Sequence, residues 1–169
     1  MRFVEDLDLK GRTVFLRVDF NVPQDETGAV RDDTRIRASL ATINWILDQG
    51  GRLVLASHLG RPKGKRLEEF SLAPAARHLS QLIERPVRLL PDCVGEGVAE
   101  MVAAMRSGDV LMLENLRFHA EEQKNDEAFS RNLAALADVY INDAFAVSHR
   151  ADASVVGVTK FCAQCAAGF

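Results

Sequence analysis

Five short apolar segments alternate along the chain with stretches in which apolar residues recur every three or four positions. Each apolar segment has the length of a strand, and the intervening spacing is that of one buried helix face. Strands that alternate with helices predict right-handed crossovers and a parallel sheet covered on both faces. We therefore predict an α/β fold, a three-layer Rossmann-like domain. The predicted strands are 13–20, 53–57, 87–90, 110–114 and 139–142.

Four helices are predicted from the spacing of apolar residues between these strands. Asp33 or Thr34 can cap the first helix, and the pair Gly50-Gly51 can end it. We find no internal repeat and no domain boundary within the 169 residues, so we predict one domain with a substantial core. The apolar residues that define the helices run from Ile36 to Leu47, Leu72 to Leu82, Val98 to Met105 and Phe129 to Leu136.

The charge balance and the apolar runs exclude several classes of function. A net charge of −3 gives the surface as a whole no attraction for nucleic acid or an anionic membrane. No apolar run approaches the roughly 18 residues of a membrane span. The N-terminal residues carry early acids and lack the apolar region of a signal peptide. The odd number of cysteines predicts reduced thiols and a cytoplasmic location.

Polar side chains follow the predicted strands at their carboxyl ends, where an open parallel sheet binds ligands. The first strand leads into Arg17, Asp19 and Asn21, whose alternation predicts one shared face. Four of the five predicted strands bring an arginine to this rim, although the protein is net acidic. This pattern predicts a site for a small anion with more than one charged group. The later strands lead to His58, Gly60 and Arg61, to Glu114, Asn115 and Arg117, and to Asn142, Asp143, His149 and Arg150.

Arg35 adds a further cation to this prediction. It lies in the first turn of a predicted helix, where the helix dipole disfavours positive charge. An anion nearby would explain it, although Asp32 or Asp33 can also compensate its charge. Arginine suits an anion site because its planar fork matches carboxylate and phosphate groups. Gly60 would let the backbone approach a ligand closely.

Several features have a simpler structural interpretation. Any single arginine here is typical of a solvated surface, and Arg17 can pair with Asp19 as structure. The pair Glu121-Glu122 is predicted to be a solvated loop face. Cys162-x-x-Cys165 is half of a zinc spacing, but no histidine completes it, so we predict core thiols at a helix end and no metal site. No nucleotide-binding glycine motif is found.

Six strings of this sequence resemble, in order and spacing, the phosphoglycerate kinase family. The resemblance extends from Arg2 to Phe169 but covers only part of the family's length, because these kinases have two α/β domains of similar size. It implies that residues 1–169 are the N-terminal substrate-binding domain and that the C-terminal nucleotide-binding domain is absent from this chain. The strings are LRVDFNVP (16–23), TRI (34–36), SHLGRP (57–62), LENLRF (113–118), NDAF (142–145) and HRA (149–151).

The resemblance implies the glycolytic reaction of phosphoglycerate kinase, in which 1,3-bisphosphoglycerate and ADP give 3-phosphoglycerate and ATP. It implies that Mg²⁺ with ATP or ADP binds to the absent C-terminal domain and that this chain binds no cofactor. The fragment alone is expected to bind the triose acid without catalysing transfer, and the full-length enzyme is expected to be a monomer. A non-catalytic anion-binding regulatory module of the same fold is the alternative, and a purely structural domain is a third reading.

The resemblance also implies a role for each matching residue. Arg35 is expected to be catalytic, reaching the carboxyl and the transferring phosphoryl group. Asp19 and Asn21 would hold the hydroxyl and carboxylate region, and Arg17 would orient Asp19 or Arg35 from behind. The residues expected to bind substrate are Asp19, Phe20, Asn21, Arg35, His58, Leu59, Gly60, Arg61, Arg117 and Arg150. Four of them, His58, Arg61, Arg117 and Arg150, would bind the phosphate that is not transferred.

The sequence departs from the family beside Arg150. The family usually reads F-G-T-A-H-R-A-H, whereas this chain has an acid, Asp152, at the last position. Asp152 can pair with Arg150 and weaken its hold on phosphate, or it can face away and cap the following helix.

Overall fold

The computed structural model describes residues 1–169 and has one six-stranded sheet at its centre. All five pairs of neighbouring strands are parallel. The strands are β1 (Thr13–Arg17), β2 (Arg52–Ala56), β3 (Arg88–Leu89), β4 (Val110–Met112), β5 (Val139–Asn142) and β6 (Gln164–Ala167). They lie in the order β3-β4-β2-β1-β5-β6, so three strands lie on one side of β1 and two lie on the other.

Six α-helices connect the strands, together with short 3₁₀ turns. The helices are α1 (Thr34–Ala38), α2 (Leu40–Asp48), α3 (Ala73–Ile83), α4 (Glu96–Ala103), α5 (Ala120–Gln123) and α6 (Glu127–Ala134). None of them has both the length and the apolar character that a membrane crossing requires.

The sheet is buried on both faces, because successive side chains of a strand point to opposite sides. On β1, Val14 and Leu16 pack in a core cluster with residues of α1, α2 and α3, whereas Phe15 packs in a second cluster with residues of α4 and α6. All three side chains are fully buried, and each contributes about 1.5–3 kcal/mol of burial free energy. This arrangement confirms the predicted α/β class with helices on both faces.

The first strand and the first helix differ most from the boundaries predicted from sequence, whereas the other predicted strands differ by no more than two residues at either end. The first strand ends at Arg17, not at residue 20, because the chain then turns so that the Asn21 N–H donates to Asp19 Oδ1 (3.1 Å). Asp19 and Asn21 therefore lie on a loop, and the strict strand alternation ends before them. The first predicted helix is two helices, α1 and α2, separated at the buried Ser39.

The prediction of thiols at a helix end was wrong. Cys165 lies in β6, an edge strand that pairs with β5, and Cys162 lies just before it. Both are free, half-buried thiols. The segment has small residues and no Val or Ile, so it carries little strand propensity of its own, and its pairing with β5 decides its structure.

The strand order places a crevice at the carboxyl end of the sheet. From β1 the chain moves to β2, β3 and β4 on one side, and it then returns to place β5 and β6 on the other. The order therefore reverses between β1 and β5, and ligands of open α/β sheets bind outside the carboxyl ends at such a point.

Candidate functional site

A cavity of about 620 Å³ lies outside the carboxyl ends of the central strands. Loops that follow β1, β2, β4 and β5 all contribute to it. Three arginines and a lysine line it, and no carboxylate does. In a protein with a net charge of −3, this local excess of cations favours an anionic ligand. The lining residues are Asn21, His58, Gly60, Arg61, Lys63, Arg117, Gln123, Val147, His149 and Arg150.

Arg117 is the most buried cation of the cavity, with only 7% of its surface exposed. It lies in a 3₁₀ turn whose start is capped by Asn115, because the Arg117 N–H donates to Asn115 Oδ1 (3.0 Å). Its guanidinium Nη1 donates to the Gly60 carbonyl (3.0 Å), while its Nε is buried without a partner. Burial and the neighbouring Arg150 lower the pKa of Arg117, yet an arginine remains protonated at neutral pH.

His58 is a neutral member of this cationic group. It is 3% exposed, and its ring Nδ1 lies 3.0 Å from Nη2 of Arg17. Burial and the positive charges of the surrounding arginines lower the pKa of His58 to about 2. The ring therefore carries no charge at neutral pH, and the positive charge of the cavity comes from its arginines and lysine.

Arg35 lies beside the cavity and does not line it. Its Nη1 donates to the Asn21 carbonyl (2.7 Å) and lies 3.5 Å from Asp19 Oδ1, while about half of its side chain stays exposed. Asp32 and Asp33, the alternative counter-ions, bond to other partners. Asp19 therefore compensates the cation in the first turn of α1, and the guanidinium remains accessible.

Asn21 joins two of the loops that form the cavity. Its Oδ1 accepts from the Gly60 N–H (3.0 Å), and its amide nitrogen makes no hydrogen bond to the protein. Gly60 has φ +62°, and a Cβ there would lie 2.4 Å from the Phe70 ring. Glycine is therefore required for packing against Phe70, a reason that the sequence alone did not show.

Arg150 is held by the acid that departs from the family pattern. Its Nε donates to Asp152 Oδ2 (3.2 Å), and the Asp152 side chain is only 3% exposed. The structure therefore shows the pairing of Asp152 with Arg150, and the weaker hold of Arg150 on phosphate stays a prediction. The pair leaves Arg150 lining the cavity with part of its charge already balanced.

We expect Asp152→Asn to tighten phosphate binding about two- to fivefold, because a partly exposed ion pair contributes up to about 1 kcal/mol. The amide keeps the shape and an acceptor oxygen but releases the full charge of Arg150. Calorimetric titration of inorganic phosphate checks this, with Asp138→Asn as a control for the loss of one exposed acid away from the cavity. Equal affinity of Asp152→Asn and the wild type would show that the pair does not restrain Arg150.

The sequence model described as "Phosphoglycerate kinase" matches residues 4–169. The chain belongs to the phosphoglycerate kinase family. It is 64% identical over 169 residues to the phosphoglycerate kinase of Syntrophobacter fumaroxidans and 57% identical to that of Desulfotalea psychrophila. In both comparisons the match covers 100% of this chain and 43% of the relative, so the chain spans less than half the length of these curated relatives.

Solved structures of the family have the same fold. The phosphoglycerate kinase from Coxiella burnetii superimposes with a TM-score of 0.88 at 37% identity, covering 98% of this chain and 41% of that one. The enzyme from Pyrococcus horikoshii gives a TM-score of 0.90 at 34% identity, covering 100% of this chain and 42% of that one.

Four of the residues expected to bind substrate do not line the cavity, namely Asp19, Phe20, Arg35 and Leu59. Phe20 is fully buried in the core, and its N–H donates to Ser57 Oγ (2.9 Å). Leu59 is 7% exposed, and its N–H donates to Asn115 Oδ1 (3.2 Å). They shape the loops that carry their neighbours, whereas Asn21, His58, Gly60, Arg61, Arg117 and Arg150 all line the cavity.

The expected contact of Arg17 with Asp19 or Arg35 is not formed. Arg17 is fully buried, and its guanidinium donates to Ser154 Oγ (2.8 Å), to the Val18 carbonyl and toward His58. The alternative of an Arg17–Asp19 structural pair is not formed either. The strand directs this side chain away from the loop that carries Asp19.

The prediction that Glu122 is solvated was wrong. Glu121 is exposed, but Glu122 is fully buried and accepts two hydrogen bonds from Ser154, at 2.8 Å from its N–H and 2.5 Å from its hydroxyl. Sequence reasoning also missed Lys63 and Gln123 as cavity residues. No spacing rule connects them with the strand ends.

Asp92, Cys93 and His119 place three possible metal-ligand atoms within 4.8 Å of one another. His119 Nε2 bonds to Asp92 Oδ1 (2.7 Å), and this bond raises the pKa of His119. Burial raises the pKa of the Cys93 thiol well above its usual range, which opposes the thiolate that a metal needs. The hydrogen bond between His119 and Asp92 instead connects the segments that follow β3 and β4. The absence of a metal site stays a prediction.

Proposed function

We propose that this chain is the substrate-binding N-terminal domain of a phosphoglycerate kinase and that its cavity binds 3-phosphoglycerate or 1,3-bisphosphoglycerate. Membership of the family supports this, as does the match to the smaller part of each full-length relative. The observation that carries the proposal is the convergence of Arg61, Arg117 and Arg150, from three separate loops, on one cavity without a carboxylate. Such an arrangement favours a phosphate group and disfavours a cationic ligand.

The phosphate that is not transferred would bind among Arg61, Arg117, Arg150 and His58. Arginine forks donate two parallel hydrogen bonds to phosphate oxygens, and partial burial strengthens these charge-assisted bonds. Arg117 is the best placed for this role because its surroundings already exclude most water. Lys63 adds an exposed cation at the cavity wall.

The hydroxy-acid part of the substrate would bind along the loop after β1. The Asn21 amide oxygen bonds to Gly60, and the amide nitrogen, which has no protein acceptor, is free to donate to the substrate. Asp19 Oδ1 accepts from the Asn21 N–H, which leaves Oδ2 to accept from a substrate hydroxyl. Arg35, next to both residues and half exposed, would reach the carboxyl group and the phosphoryl group in transfer.

Transfer of a phosphoryl group depends mainly on positioning and on stabilising negative charge. Arg35 would supply positive charge where that charge develops. Mg²⁺ with ADP or ATP does not fit this cavity, since the lining residues include no carboxylate that could bind Mg²⁺. We propose that the nucleotide binds to a C-terminal domain outside this chain, and that the full-length enzyme is a monomer that acts in cytoplasmic glycolysis.

Titration of 3-phosphoglycerate into the ¹⁵N-labelled chain tests this proposal. We expect saturable shifts confined to residues near Asp19, Arg61 and Arg117, and at least tenfold weaker binding of inorganic phosphate and sulfate. Arg61→Gln should weaken 3-phosphoglycerate binding about tenfold or more, whereas Arg88→Gln, at the exposed edge strand β3, should not.

Three other results would contradict the proposal. Equal binding of 3-phosphoglycerate, phosphate and sulfate would indicate a general anion-binding module, an alternative that no observation favours at present. The absence of any response would indicate a structural domain. ATP is expected not to bind, and ATP binding in this cavity would contradict the assignment of the domain.

A further inference from the structure

A chain of buried polar groups extends from the wall of the cavity into the interior. His58 Nδ1 lies 3.0 Å from Arg17 Nη2, and Arg17 Nε donates to Ser154 Oγ (2.8 Å). Ser154 in turn donates from its hydroxyl to Glu122 Oε2 (2.5 Å) and from its N–H to Oε1 (2.8 Å). These four residues are 0–3% exposed. The cluster, which we call the buried relay, has only one end, His58, at the cavity.

The chemistry of the donors settles which nitrogen of His58 carries its proton. A guanidinium has donors and no acceptor, so Arg17 requires a lone pair on Nδ1 of His58. A neutral imidazole with a lone pair on Nδ1 has its hydrogen on Nε2. No group of the protein accepts from Nε2, and this atom is not among the buried unpaired ones. It is therefore a donor that is free for a ligand.

Arg17 itself is held by the far end of the relay. Ser154 presents its lone pair to Arg17 because its hydroxyl hydrogen is committed to Glu122. Tyr140 donates to the Ser154 carbonyl (2.7 Å) and fixes the same backbone segment. With the Val18 carbonyl as a further acceptor, the guanidinium has one orientation, and its Nη2 is directed at His58.

We propose that Arg17 is a positioning residue that holds His58 as the neutral Nε2–H tautomer, so that Nε2 donates a hydrogen bond to the phosphate of the bound substrate. This inference rests on the proposed function for the identity of the ligand only. His58 then contributes an oriented hydrogen-bond donor and no positive charge. The arginines of the cavity supply the charge.

The groups around His58 explain why the ring stays neutral. Arg17 faces it from β1, Arg117 from the segment after β4, Arg150 from the segment after β5, and Arg35 from α1. The acid of the relay, Glu122, bonds to Ser154 and not to His58. A second consequence follows for pH: His58 should add no ionisation of its own, so the pH dependence of affinity between pH 5.5 and 8.5 should have the same shape in the wild type and in His58→Ala.

Nitrogen-15 NMR of the histidine-labelled chain tests the tautomer without any ligand. We expect His58 at pH 7 to show an unprotonated Nδ1 and a protonated Nε2. A protonated ring, or the opposite tautomer, would overturn the inference even if 3-phosphoglycerate binds. The expected tautomer together with no binding of 3-phosphoglycerate would overturn the proposed function and leave the tautomer assignment intact.

Arg17→Lys separates positioning from charge. The lysine keeps the positive charge, but the three donors of its ammonium share one nitrogen and cannot reproduce the geometry of the planar guanidinium. We expect a mixture of His58 tautomers and about tenfold weaker binding of 3-phosphoglycerate. Arg88→Lys, which alters an exposed arginine of β3, is the control and should change neither quantity.

A double-mutant cycle with His58→Ala completes the test. Because Arg17 acts through His58, Arg17→Lys should cause no further loss of affinity when His58 is already alanine. Additive losses would overturn the inference, as would a loss in Arg17→Lys with an unchanged tautomer. If Arg17→Lys does not fold, the wild-type NMR measurement alone still decides the assignment.

Discussion

We expect Arg35→Ala to lower kcat of the full-length phosphoglycerate kinase about 10²–10³-fold, with a much smaller change in KM for 3-phosphoglycerate. The guanidinium is half exposed beside the cavity and is bonded on one side only, to Asn21 and Asp19. It can therefore turn to negative charge that develops during transfer. Loss of one such donor commonly costs about 3–4 kcal/mol of transition-state stabilisation. Steady-state kinetics of the variant in the direction of ATP synthesis measure both constants.

Arg37→Ala is the matched control for this prediction. Arg37 lies on the same helix, α1, and is similarly exposed, but its Nε bonds to Asp33 (2.8 Å). Its removal should leave kcat unchanged. If Arg35→Ala keeps its turnover and only raises KM, Arg35 holds the ground-state substrate, and the catalytic role is wrong.

Glu122→Ala should lower the free energy of unfolding by about 3–5 kcal/mol, the usual cost of leaving one partner of a buried ionic network without the other. Glu122 and Arg17 are both fully buried and are joined through Ser154. Burial raises the pKa of Glu122, and the positive charge of Arg17 opposes that rise. Removal of the carboxylate leaves the Arg17 charge unbalanced and Ser154 without its acceptor.

Urea denaturation of the 169-residue chain at pH 7 measures this change. Glu121→Ala is the control, because Glu121 is the exposed neighbour on the same helix, α5, and its removal should shift stability by no more than about 0.5 kcal/mol. A loss below about 1 kcal/mol in Glu122→Ala would mean that Arg17 does not depend on the carboxylate. Glu122→Gln keeps an acceptor oxygen, so its loss of stability should lie between the losses of Glu121→Ala and Glu122→Ala.

Much of the fold could be predicted from the sequence, because burial on both faces leaves nearly unbroken apolar runs such as Val14–Leu16. The rim arginines could be found for a related reason: parallel strands bring their carboxyl ends to one edge, and residues just after each strand meet there. Strand β6 could not be found, since its small residues take their extended form from pairing with β5.

The buried relay could not be predicted from spacing. Arg17 and Ser154 lie 137 positions apart in the chain, and Ser154 and Glu122 lie 32 apart. A glutamate next to another glutamate is usually solvated, so the local composition wrongly predicted that Glu122 is exposed. Only the packing of the loop after β5 against α5 shows that Glu122 has an internal partner and that Arg17 contacts His58 and not Asp19.

The arginines of the cavity have a consequence for the folded state without ligand. Arg61, Arg117 and Arg150 stand on loops that follow three different strands, and their like charges repel one another across the cavity. A bound anion would remove that repulsion and connect the three loops through a common partner. Folding and binding are then thermodynamically linked, and at a ligand concentration of 100 times Kd the link is worth about 2.7 kcal/mol of stability. The substrate would in this sense be part of the structure of the domain.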